Sequence, residues 1–76
     1  MKEVDFMRRK NFYTEEKLNY LGWHISNRIS SDGKKVLEVY TNGEHRLELV
    51  YGKNGSLILA QAFSADGKII GGESFV

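Results

Sequence analysis

Four turn signatures, each closing on a glycine that follows Asp or Asn, divide most of this chain into short apolar runs: Ser31-Asp32-Gly33, Thr41-Asn42-Gly43, Lys53-Asn54-Gly55 and Ala65-Asp66-Gly67. Their glycines stand 10, 12 and 12 residues apart. Asp-Gly and Asn-Gly between apolar runs are strong hairpin signals, because Asn and Asp tolerate positive φ and glycine has no Cβ to clash there. Four consecutive hairpins predict five antiparallel strands in simple up-and-down order. The expected fold is therefore α+β: a short N-terminal helical segment (1–22) packed on a five-stranded antiparallel β-meander (23–76), all within a single domain (1–76).

Register follows from loop length. Three-residue loops at every turn make paired residue numbers sum to an even value, so residues of one parity share one face in all five strands. The odd set then holds most of the large apolar side chains, among them Trp23, Ile25, Leu37, Val39, Leu47, Leu49, Leu57, Leu59 and Phe63. On this expectation Leu37 pairs with Leu47 and Glu38 with Arg46. Since a one-residue slip moves a whole strand's side chains to the other face, parity carries the prediction of which face is the core.

The N-terminal segment reads as helical in its second half. Thr14 is a suitable N-cap, Glu15 and Glu16 occupy the first turn where the helix dipole favours acid, and Gly22 ends the element. Residues 3–12 fit a preceding helix, a strand or an arm equally well.

Composition narrows the function classes. The 76-residue chain has no cysteine and no proline, and its formal net charge is +1. A chain this short supports one small core. Without cysteine there is no disulfide, thiolate metal site or thiol nucleophile, and the expected location is cytoplasmic. No apolar run is long enough to span a bilayer, so no membrane partner is expected.

Residues able to do chemistry are few. His24 and His45 have opposite parity and do not converge on a metal in one subunit. No serine sits in a nucleophile elbow, and Gly71-Gly72 lacks the following lysine and helix start of a phosphate loop. No enzyme activity, cofactor or metal is expected. The partly apolar even face, comprising Val36, Tyr40, Arg46, Val50, Ile58, Ala60, Ala62 and Ile70, is the expected partner-binding surface, with Tyr40 and Arg46 as anchors. The chain thus reads as a small protein-binding module of adaptor or inhibitor type, with a protein partner, a second copy in a homodimer, or both. The competing class is a nucleic-acid binder using Arg8, Arg9, Lys10, Arg28, Lys34 and Lys35 against phosphates. Interleaved acids leave residues 1–38 at a formal charge of only +2.

An approximate repeat of a dozen residues runs through the meander: Ile29-x-x-Asp-Gly, Tyr40-x-Asn-Gly, Tyr51-x-x-Asn-Gly and Phe63-x-x-Asp-Gly. Over residues 29–75 this resembles the aromatic–Asn–Gly hairpin repeats of MORN-like and YwqK-type proteins. It departs from their spacing and lacks their extra glycines, and no family is assigned from it.

Overall fold

The computed structural model describes residues 11–76. It is a five-stranded antiparallel sheet with one short helix. Helix α1 (Glu15–Tyr20) is followed by β1 (His24–Ser31), β2 (Lys34–Thr41), β3 (Arg46–Tyr51), β4 (Leu57–Phe63) and β5 (Ile69–Ser74). Spatial order equals chain order, so the sheet is a meander with β1 and β5 at its edges. The segment before residue 11, including the possible arm, lies outside the described residues.

Helix α1 forms where its signals stand. The Thr14 hydroxyl accepts from the Lys17 N–H at 3.3 Å, Glu15 and Glu16 fill the first turn, and Gly22 takes φ 95° beyond the helix. Leu18 is its one buried side chain, and it joins Tyr40, Leu47, Leu49, Leu57 and Ala60 in the core cluster. Tyr13, Trp23, Ile25, Tyr51, Ala62 and Phe75 pack around that cluster.

All four turns occur where expected, but with three loop lengths. Asp32 (φ 53°) and Gly33 (φ 77°) form a two-residue loop between the paired Ser31 and Lys34. Four residues, 42–45, separate the paired Thr41 and Arg46. There the Asn42 side-chain oxygen accepts from the backbone N–H groups of Glu44 at 2.9 Å and His45 at 2.7 Å, drawing Glu44 and His45 into the loop. The last two turns are three-residue loops with glycine at positive φ, closed by Gly52 N–H to Ser56 at 2.8 Å and Ser64 N–H to Lys68 at 2.8 Å.

The even-sum register is corrected by these loops and by β-bulges. Ladder shifts leave Ser26, Val36, Ile58 and Ile70 as extra residues within otherwise regular pairings. Val36, Ile58 and Ile70 each stand three positions after a turn glycine. A bulge sets two residues against one, so the faces exchange parity beyond it. Leu37 therefore pairs with Val50 instead of Leu47, and Glu38 lies between Arg28 and Leu49 instead of opposite Arg46. From β2 to β5 parity now alternates from strand to strand, with even residues in β2 and odd ones in β3 on the helix-side face, and β1 changes parity at Ser26.

Two cross-strand rows floor the core on that face. One runs Ile25, Tyr40, Leu47, Ala62, Gly71; the other runs Arg28, Glu38, Leu49, Ala60, Glu73. Tyr40 and Leu49 are wholly buried. The rows shrink towards β5 because Ala62, Ala60 and Gly71 are small. Gly72 is required by its neighbour, since a Cβ there would stand 2.8 Å from the Ala60 carbonyl oxygen.

Candidate functional site

The eight residues expected to form one contact surface are distributed among several environments. Tyr40 is wholly buried and Ala60 is 1% exposed, so both belong to the core. Ala62 is partly buried beside them. Val36, Ile58 and Ile70 are bulge residues, with Val36 and Ile70 exposed. Arg46 and Val50 lie on the opposite face. Of the basic set, Arg8, Arg9 and Lys10 fall outside the described residues, whereas Arg28, Lys34 and Lys35 already have local partners.

Arg28 and Lys35 belong to a polar cluster that the even-sum register did not bring together. Its centre is Glu38, which is 2% exposed. One carboxylate oxygen accepts from the Tyr51 hydroxyl at 2.7 Å and the Tyr40 hydroxyl at 3.3 Å; the other accepts from Arg28 Nε at 2.9 Å. Lys35 Nζ lies 3.9 Å from that second oxygen and 4.8 Å from the centre of the Tyr51 ring. Arg28 extends through Nη2 to Glu15 at 2.9 Å, tying the first turn of α1 to β1. Burial pushes the Glu38 carboxyl up, but the hydrogen bonds from Tyr51 and Arg28 and the charges of Lys35 and Arg28 outweigh it and hold the group below its ordinary range. Burial, with the nearby Glu38 charge, raises Tyr40 to about 12 and also raises Tyr51.

Beside this cluster is an open depression of about 440 Å³ lined by residues that include Thr14, Glu15, Arg28, Lys35 and Tyr51. Its charges are internally balanced. Glu38 meets three donors and Arg28 two carboxylates, so both charges are paired within the cluster. The arrangement is that of a buried ion whose desolvation is offset by charged hydrogen bonds.

The other face is open among the described residues. Three cross-strand rows define it. The first is Ile29, Leu37, Val50, Leu59, Ser74; the second is Asn27, Val39, Glu48, Gln61, Gly72; the third is His24, Thr41, Arg46, Phe63, Ile69. Four adjacent strands thus present an unbroken apolar row, and β2, β4 and β5 add Val39, Phe63 and Ile69. Leu37, Val39, Val50, Leu59 and Phe63 are only partly buried. On β3, Arg46 Nε donates to Glu48 at 3.1 Å while its guanidinium covers the Phe63 ring at 4.4 Å.

His24 and His45 do not converge with acids into a metal site, and no group of three His, Cys, Asp or Glu residues with metal-binding geometry occurs among the described residues. No described helix is long and apolar enough to cross a membrane. No family model, curated protein or solved structure matches this chain.

Proposed function

We propose that this chain is a small, non-enzymatic protein-binding module of adaptor or inhibitor type, and that its contact surface is the open sheet face. The observation carrying this reading is the row Ile29, Leu37, Val50, Leu59, which crosses four strands without a polar interruption on the side opposite Leu18. Isolated apolar residues on a surface are ordinary, but a contiguous apolar patch rimmed by polar groups favours association. Along one side of this apolar row the next row brings Asn27, Glu48 and Gln61, with Arg46 beyond them, and these polar groups supply orientation.

The non-enzymatic part of the proposal draws on the Glu38 cluster. Glu38 is the one buried charged side chain among the described residues, and it is committed to its donors in ionised form. A general acid requires the opposite tuning, towards neutral pH.

The test is size-exclusion chromatography of a nuclease-treated native lysate containing the tagged chain, beside a Leu59→Lys variant whose fold is verified by circular dichroism. Wild type is expected in a complex larger than its own mass, with the variant released from it. Equal elution of the two, or loss of the wild-type complex on nuclease treatment, overturns the proposal.

A further inference from the structure

We infer that the occupant of the open face is a second copy of this chain, packed sheet on sheet about a two-fold axis that runs parallel to the strands between β3 and β4. This inference rests on the reading of that face as a contact surface and names its partner.

The first argument is core size. Six apolar side chains form the buried core of the described residues, and the chain has no cysteine for a disulfide staple. Small domains in this position gain stability by oligomerisation. An apolar sheet face is satisfied by a second layer, and two sheets of the same twist pack with their strands offset by roughly 30° and their planes about 10 Å apart. A second copy supplies a sheet of identical twist.

The second argument is area. About this axis β2 to β5 of the two copies overlap and β1 lies beyond the partner's edge; four strands about 4.8 Å apart, with three same-face rows about 6.8 Å apart, make a patch of roughly 19 by 20 Å in plan. At roughly 400 Å² per copy in plan, such a patch places the dimer among the small, weakly associating interfaces that bury less than about 1,200 Å² in total.

The third argument is charge. Surfaces that face themselves must avoid like charges, and the two charged residues inside this face, Arg46 and Glu48, cancel and already pair. The proposed axis places β3 of one copy over β4 of the other. Val50 then faces the partner's Leu59, Glu48 faces the partner's Gln61, and Arg46 faces the partner's Phe63. These juxtapositions are apolar on apolar, carboxylate on amide, and guanidinium on aromatic ring. The two Arg46 positions stand about 11 Å apart in this arrangement, and each is offset by its own Glu48. An axis running along β3 itself opposes Arg46 to its own copy, and one crossing β3 at Glu48 opposes carboxylate to carboxylate.

Sedimentation equilibrium of the purified full chain from about 1 µM to about 500 µM covers the weak affinities expected of an interface this small. The average mass is expected to rise from 8.7 kDa towards twice that value. Val50→Lys and Leu59→Lys are each expected to weaken dimerisation at least about 100-fold, because each buries an unpaired ammonium. Tyr20→Ser, at a helix position 91% exposed and off this face, is expected to leave it unchanged. Val50→Thr, which keeps the shape and strand preference of valine, serves where a lysine variant fails to fold and is expected to weaken dimerisation about 10-fold. A purified chain that stays monomeric throughout overturns the inference; if Leu59→Lys still releases the lysate complex, the contact-surface reading survives with a different partner. A dimer unaffected by every face substitution overturns both.

Discussion

The Tyr51 hydroxyl donates to the Glu38 carboxylate across 2.7 Å, from the end of β3 to the middle of β2. This contact brings a charged side chain into the core face of a very small sheet. Glu38 occupies the row position between Arg28 and Leu49, where an apolar residue is the simplest filling. The carboxylate is tolerated because Arg28, Tyr40 and Tyr51 replace the water it gives up, and Arg28 carries the link on to Glu15 of α1.

Removing one partner therefore costs more than the contact itself. Glu38→Ala leaves two tyrosine hydroxyls without their acceptor and is expected to destabilise the fold by about 2–4 kcal/mol. Tyr51→Phe removes one donor to a charged acceptor and is expected to cost about 1–2 kcal/mol. Urea unfolding with a shared m-value measures both, and equal stability of Glu38→Ala and wild type contradicts the role given to the cluster.

The same cluster sets the acid limb of stability. Glu38 has its folded pKa held below the ordinary 4.5, so the native state favours the ionised form. Its contribution is complete above pH 4.5 and declines as pH falls through the lower folded value, where the folded protein takes up the proton. Tyr40 contributes in the opposite sense: with its pKa raised from 10.0 to about 12, stability declines as pH rises across that interval. Thermal melts of wild type and Glu38→Gln are expected to converge at low pH, with the variant less stable at pH 7. Parallel acid limbs show that Glu38 is not the titrating group.

Loop chemistry yields a separate prediction. Asn42 alone accepts two backbone N–H groups, from Glu44 and His45, in the loop that sets the β2–β3 register. Asn42→Ala removes both and is expected to cost about 1–2 kcal/mol. Asn54 accepts one such bond, from Ser56, so Asn54→Ala is expected to cost less. Denaturation midpoints of the two variants check the order, and a reversed order counts against the part assigned to Asn42.

The strands and turns were legible because glycine and its Asn or Asp neighbour mark positive φ directly, and five of the eight glycines take it. The helix start at Thr14 was legible for a similar reason, since cap and acidic turn are local signals. The faces were not. Val36, Ile58 and Ile70 are ordinary strand residues in composition, yet as bulges they reverse the parity on which face assignment depends. Two three-residue turns were placed correctly at 53–55 and 65–67, and the bulges just beyond them still exchanged the faces. Glu38 was missed through the same parity, which set it on the even face with Tyr40 and opposite Arg46. The usable signal was the coincidence of Arg28, Lys35, Tyr40 and Tyr51 around one acid, visible only once the β1–β2 register is known. The open face went unrecognised because the same parity assigned Leu37, Val39 and Leu59 to the core.

Adjacent glycines in β5 separate a packing requirement from mere permissiveness. A Cβ at Gly72 would meet the Ala60 carbonyl oxygen at 2.8 Å and the Gln61 Cα at 3.5 Å, both backbone atoms of the neighbouring strand, so relief needs β4 and β5 to move apart. A Cβ at Gly71 meets nothing within 4 Å, and neither residue requires positive φ. Gly72→Ala is expected to destabilise the domain by about 1–3 kcal/mol, the usual cost of forced overpacking. Gly71→Ala is expected to be neutral or to stabilise by about 0.5 kcal/mol, through reduced freedom of the unfolded chain. Equilibrium unfolding of the two variants measures the contrast, and hydrogen exchange localises the Gly72→Ala loss to the β4–β5 pairing. Equal effects of the two substitutions contradict the close approach of β5 to Ala60.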